Sequence, residues 1–265
     1  MKTNRVEKIS YLEPGWVVKQ DHLAAGFSTR HGGVSRAPYN SLNLGFGTDD
    51  LKSHVEGNRA NFCRAFDLQP HQLLTIKQVH GTNLLLIDDE NLDLSHFLTV
   101  EADGIITNQR GFMIGVLVAD CIPLLLHHPG KGVVAAVHVG WRGAANGIIA
   151  RAIESMQSHF HCAPEEILAA VGPGIGAHRF EVDRPVREAF RNGSGFWDLI
   201  AKEVSLGHWL VDLSLSCRLQ MEAVGIQSGN IDTADDCTCC HQELFFSHRR
   251  DSGQTGRQLG FIQLK

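Results

Sequence analysis

EADGIITNQRGFMIGVLVADCIPLLLHHPGKGVVAAVHVGWRG, residues 101–143, is the stretch whose reading decides the fold. It holds three apolar runs, 112–119, 122–126 and 133–139, each rich in Val, Ile and Leu and each too short for an ordinary helix. Runs of that length and composition predict buried strands. The break His128-Pro129-Gly130-Lys131-Gly132 is turn chemistry, so the second and third runs are expected to pair as a hairpin. Two side chains stand where a buried apolar strand would not place them: Cys121 ends the first run and His138 interrupts the last. A helix is expected to open directly afterwards, at Gly140-Trp141-Arg142-Gly143. A thiol, an imidazole and the positive end of a helix at one sheet edge have the makings of a reaction site.

Upstream, residues 73–79 and 83–87 read as strands, the first ending in Gln78-Val79-His80-Gly81. Before them, Val55, Arg59, Phe62 and Phe66 share one helical face, with Thr48-Asp49-Asp50 as its cap. Short strands at 16–18 and 24–28 lead into a loop, 29–45, dense in Gly, Asn and Ser. Downstream, Ala145, Ile148, Ile149, Ala152, Ile153, Met156 and Phe160 mark one long amphipathic helix. Strand 167–171 runs into Gly172-Pro173-Gly174-Ile175-Gly176, Asp183 caps a helix through Phe190, and helix 213–224 stops at Gly225. Runs 245–247 and 259–264 read as closing strands. The alternation is irregular, which predicts an α+β (mixed α/β) fold with helices covering the sheet. No repeat or linker divides the chain, so residues 1–265 are expected to form a single domain.

A net charge of −5 offers no basic field for nucleic acid or an anionic membrane. No run approaches the ~20 apolar residues of a membrane helix, and MKTNRVEKIS carries no apolar targeting core, so a cytoplasmic location is expected. In that reducing compartment the seven cysteines read as core thiols, metal ligands or nucleophiles rather than a disulfide frame.

His80, Cys121 and His138 stand out as ligands, since zinc favours imidazole nitrogen and thiolate sulfur. Each lies at or near an expected strand end. Two other readings of the same residues stay open. Cys121 and His138 also suit a thiolate–imidazole pair in a cysteine hydrolase, and both suit an ordinary core. A second cluster, Cys237-Thr238-Cys239-Cys240-His241, contains a C-x-x-C that suggests a metal or a redox pair, but no later C-x-x-C completes a zinc frame. Arg30, Arg59, Arg142, Arg249 and Arg250 are candidate anion contacts, Arg142 the best placed because it opens a helix.

The blocks STRHGGVS, YNSLNLG, KQVHG, EADGIITN, ADCIPLLL, AAVHVGWRG, VGPGIG and ELFFSHRRD, the last followed by TGR, run in this order from about Ser28 to the C-terminus. Together they closely resemble the YfiH-type family, also called the laccase-domain or multicopper polyphenol oxidase family, which includes a peptidoglycan editing factor. The resemblance implies a mixed β-sandwich flanked by helices, related to toxin deamidases that use a Cys–His pair. It implies zinc on His80, Cys121 and His138, with copper as a possible substitute. It further implies phosphorolysis of adenosine, inosine, guanosine and methylthioadenosine, and deamination of adenosine. Purine nucleosides and phosphate would be the partners, and a monomer or weak homodimer the working form. On that footing Asp103 or Asp120 would supply a proton, while Arg142, then Arg30 and Arg59, with Gln78, would hold phosphate. The chain departs from the family pattern at His127-His128, where an acidic residue is more usual, and in having Cys239. A four-copper oxidase needs many paired His-x-His motifs, and the chain has one, His159-Phe160-His161.

Overall fold

A computed structural model describes residues 1–89 and 94–265. One sheet runs in the order β1 (Lys2–Val6), β2 (Ile9–Glu13), β3 (Leu23–Ser28), β15 (Gln258–Leu264), β7 (Met113–Val118), β4 (Leu73–Leu74). A second runs β14 (Ile231–Thr233), β10 (Leu168–Val171), β8 (Ile122–His128), β9 (Val133–Val139), β6 (Gly104–Thr107), β5 (Leu84–Ile87). The predicted hairpin is present: β8 and β9 pair antiparallel from Ile122↔Val139 to His128↔Val133. A small third sheet, β11 (Glu181–Val182), β13 (His208–Val211), β12 (Ala201–Ser205), lies beside them.

The two large sheets pack face to face, as the core shared by Phe27, Ile114, Val116 and Ile262 from one with Leu125, Val134, Ala136 and Ala170 from the other shows. Strand side chains alternate between faces, and here both faces are covered. Val133, Ala135, Val137 and Val139 of β9 point away from the sandwich, into a core with α3 (Ile148–Phe160) and α6 (Leu213–Ala223). On the far side Leu259 and Phe261 of β15 pack with Phe62 of α1 (Lys52–Ala65). Burial on both faces is why the central runs are continuously apolar rather than alternating. Close approach in the sandwich depends on missing side chains: a Cβ on Gly172 would lie 2.4 Å from the Phe27 ring and 2.7 Å from Pro123.

Several local expectations differ from what the backbone does. Residues 16–18 form no strand; Val17–Lys19 is a 3-10 turn, fixed as the Trp16 indole donates to Ala169 O at 3.2 Å. The run expected over 73–79 keeps only Leu73–Leu74 as strand, because the Gln78 side chain takes both the N–H and the C=O of Leu117 at 2.8 Å, doing the job of a backbone ladder. Residues 245–247 are likewise not a strand: the Gln258 amide pairs with both the N–H and the C=O of Phe246. The long helix breaks at Gly147, whose φ of 81° is left-handed, into α2 (Trp141–Ala145) and α3. Remaining helices are α4 (Arg184–Asn192) and α5 (Trp197–Ile200). None of the described helices is long and apolar enough to cross a membrane.

Candidate metal centre and its cavity

β7 belongs to one sheet and β8 to the other, so residues 119–121 must cross the sandwich. Asp120 makes the crossing with φ 90°, a conformation side chains rarely adopt. Its two carboxylate oxygens hold it there, one accepting from Thr238 Oγ1 and the other from Arg249 N–H, both at 2.7 Å. Cys121 is thereby delivered to the open end of the sandwich. His138 arrives from the last inward position of β9, in phase with Val134 and Ala136. His80 comes from the turn after β4, also left-handed at φ 59°.

One carboxylate organises both histidines. Asp103 is fully buried and accepts from the amides of Val79, His80 and Gly81 at 3.3, 2.9 and 2.6 Å. It also accepts from His138 Nδ1 at 2.8 Å, which fixes the tautomer and leaves Nε2 for the site. Burial alone would raise the Asp103 carboxyl, but His138 and these amides outweigh it and hold it below the ordinary range.

The ligand atoms of His80, Cys121 and His138 all lie within 4.8 Å of one another, with Cys121 Sγ 3.9 Å from His80 Nε2. Tetrahedral zinc holds such atoms about 3.3–3.6 Å apart, so the Cys121–His80 pair stands within a few tenths of an ångström of that spacing. The donor set fits zinc, and it also suits copper. Space for the group depends on Gly140, where a Cβ would stand 2.9 Å from the His80 ring, 3.3 Å from Cys121 Sγ and 3.7 Å from the His138 ring. Its φ of −78° suits alanine equally well. Gly140→Ala is therefore expected to lower zinc affinity by about tenfold or more, the scale of a disturbed ligand orientation, with the melting temperature little changed. A calorimetric titration read beside a melt checks this; unaltered affinity contradicts it.

Electrostatics couple the thiol to the ring. Burial would raise Cys121, but the charge and hydrogen bond of His138, with His80 beside it, bring it down to about 6. Burial would lower His138, but the thiolate and Asp103 carry it up to about 9. In metal-free protein the thiolate–imidazolium pair therefore stabilises the fold between these values. The Cys121 contribution is lost as pH falls through about 6, and the His138 contribution as pH rises through about 9. Iodoacetamide should accordingly alkylate Cys121 in chelator-treated protein with a rate midpoint near pH 6 rather than at the ordinary thiol value. A midpoint above pH 8 contradicts this pairing.

The triad opens on a cavity of about 560 Å³, the scale of small-molecule sites, lined also by Gln78, Asp120, Trp141, Phe180, His248, Arg249 and Arg257. The sequence-derived contacts fare unevenly. Gln78 reaches the wall, with its amide committed to Leu117. Asp120 lines the cavity with both oxygens occupied, and Asp103 is sealed behind His138, so neither carboxylate is free to donate a proton as expected; both position their neighbours. Arg142 lies over its own Trp141 ring at 4.2 Å and is absent from the lining. Arg30 donates to Asn40 O and Gln242 O elsewhere, and Arg59 is buried against Leu44 O and Leu73 O. Arginine instead enters from the C-terminal segment. Arg249 donates to Arg179 O and Glu181 O at 3.1 and 3.2 Å. Arg257, hinted at only by the TGR block, donates to Thr255 O and Gly256 O. Neither is paired with a carboxylate among the described residues. His127 and His128 end β8, roughly 20 Å along the strand from Cys121, and do not line the cavity.

The family described as multi-copper polyphenol oxidoreductase laccase matches residues 24–265. The purine nucleoside phosphorylase YfiH of Escherichia coli is 39% identical over 245 residues, spanning 91% of this chain and 94% of that protein. The purine nucleoside phosphorylase YlmD of Geobacillus stearothermophilus is 35% identical over 243 residues, 90% of this chain and 89% of that one. A crystal structure of a Bacillus licheniformis hypothetical protein YfiH superposes with a TM-score of 0.91 at 30% identity, covering 98% of both chains.

Proposed function

The chain belongs to the multi-copper polyphenol oxidoreductase laccase family, and from that membership we propose a zinc-dependent purine nucleoside enzyme that phosphorolyses adenosine, inosine, guanosine and methylthioadenosine and deaminates adenosine. The observation that supports this most is the meeting of His80, Cys121 and His138 at the head of a cavity with Arg249 and Arg257, neither paired with a carboxylate among the described residues. Relatives named purine nucleoside phosphorylases supply the substrate class. Copper would fit the same donors, but three ligands around one position do not build a four-copper centre, and among the described residues only one other group of three ligands lies close together.

His80, Cys121 and His138 would hold the zinc, which supplies Lewis-acid chemistry near neutral pH when bound. The rest falls to the chain. Arg249 and Arg257 bind phosphate and carry its charge as its oxygen bonds to ribose C1′ and the purine leaves. Trp141 and Phe180 offer flat faces to the purine, while Ile76, Leu117, Ile175 and Leu213 keep water out. His248, on the cavity wall, is the side chain placed to move a proton to the departing base or ammonia. A soluble cytoplasmic protein acting on small molecules, as a monomer or weak homodimer, completes the reading.

The test is inosine with inorganic phosphate, which should give hypoxanthine and ribose 1-phosphate in a chelator-sensitive reaction. A second reading, a Cys121/His138 amidohydrolase in cell-wall precursor editing, draws on the thiolate–imidazolium pair. That reading requires turnover that survives metal removal, which the zinc enzyme forbids.

A further inference from the structure

We propose a second soft-metal site, made by His178 Nε2, Cys237 Sγ and Cys240 Sγ, that takes one zinc-type divalent cation and staples the turn at 237–241 onto the 3-10 turn Ala177–Arg179. The C-x-x-C lacked partners in the sequence because its third ligand lies 237 − 178 = 59 residues upstream. In the fold the three ligand atoms all lie within 4.8 Å of one another, with His178 Nε2 3.2 Å from Cys240 Sγ. All cysteines are free thiols.

Both sulfurs already accept hydrogen bonds from the groups that face them. Cys237 Sγ accepts the Gly176 N–H at 3.1 Å. A neutral thiol is a weak acceptor, whereas a metal-bound thiolate is stabilised by such a donor. Arg179 Nε adds a cationic donor to Cys240 Sγ at 3.4 Å. Two thiolates neutralise a divalent ion, so Arg179 does not oppose loading.

Backbone contacts hold the ligands in place beforehand. Gly174 and Cys237 form a parallel bridge, Thr238 N–H donates to Gly174 O at 2.9 Å, and Cys240 and His241 N–H both donate to Cys237 O. Cys239 packs against the apolar core and takes no part, while His178 and Cys240 are exposed. Three protein ligands and a solvent-facing fourth position result. The staple lies outside the cavity but behind its wall, since Thr238 holds Asp120 and the Arg179 carbonyl holds Arg249.

Titration of Zn²⁺ into reduced, chelator-stripped full-length protein, in competition with a chromophoric chelator, tests this. Wild type should take two equivalents per chain. Cys240→Ser and His178→Ala, both at exposed positions that spare the fold, should each take one, and Cys121→Ser/Cys240→Ser none. In Co²⁺-loaded Cys121→Ser protein, a thiolate-to-cobalt band should be present and should vanish with the added Cys240→Ser substitution. A second equivalent untouched by Cys240→Ser and His178→Ala overturns the site. So does cobalt-loaded Cys121→Ser protein without the band, or a Cys237–Cys240 disulfide persisting under reductant. The primary triad is judged separately, by whether Cys121→Ser alone lowers the stoichiometry.

Discussion

Replacing Asp103 by alanine is expected to strip the metal from the triad and to lower the melting temperature by roughly 6–12 °C. The carboxylate accepts from three consecutive amides and from His138 Nδ1, and it is fully buried. Orphaned buried donors cost about 1–3 kcal/mol each. Val79 and His80 are exposed enough for water to replace part of what is lost, which brings the sum to about 3 kcal/mol, at 2–4 °C per kcal/mol for a chain of this size. With the carboxylate gone His80 is no longer held in its left-handed turn, and His138 is free to rotate. Second-layer changes of this kind typically reduce metal affinity ~10–100-fold, and here both histidines are affected. Asp103→Asn separates the two effects: it keeps an acceptor for the amides, so it should recover much of the stability but not the zinc affinity. Wild-type affinity in both variants, measured by competition titration beside thermal melts, would contradict the role assigned to this carboxylate.

Cys121→Ser should act on the chemistry more than on the packing, giving an inactive protein that still folds. Cys121 is partly exposed and belongs to none of the three apolar cores, so its removal costs little packing, and the stability lost is that of its pairing with His138. A serine hydroxyl is a poor ligand at neutral pH because, unlike a thiol, it is not readily deprotonated. If the cation contributes several kcal/mol to the transition state, phosphorolysis of inosine should fall by about 10³-fold or more. Excess zinc should restore part of that activity, since His80 and His138 remain. A nucleophilic role for the thiol predicts no rescue at any zinc concentration, and activity within tenfold of wild type would place the chemistry elsewhere.

The central sandwich strands, with Cys121 and His138, are readable from residues 101–143 because burial on both faces leaves continuous Val, Ile and Leu runs, beside which one thiol and one imidazole stand out. His80 was readable for a similar reason, as a polar residue beside a glycine at an expected strand end. What sequence did not carry was work done by side chains at long range. Gln78 and Gln258 act as backbone substitutes, which shortens one expected strand and removes another, and no periodicity records that. Strands β1 and β12 are largely exposed and polar, so they lack an apolar signature. Charge says nothing of direction: Arg59 suits a helix face but is buried beneath it, whereas Arg257 follows a turn and shares the cavity wall with Cys121. Burial lowers that guanidinium, with the charges of Cys121 and Asp120 acting the other way.

The most direct measurement is the rate of hypoxanthine and ribose 1-phosphate formation from inosine and phosphate, as Zn²⁺ is titrated into chelator-stripped Cys240→Ser protein. Activity should start near zero and rise linearly to a plateau at one zinc per chain, and the same titration with His80→Ala added should stay flat. Full turnover in the stripped protein, or a plateau unaltered by His80→Ala, would mean that these three side chains do not gather around a catalytic cation.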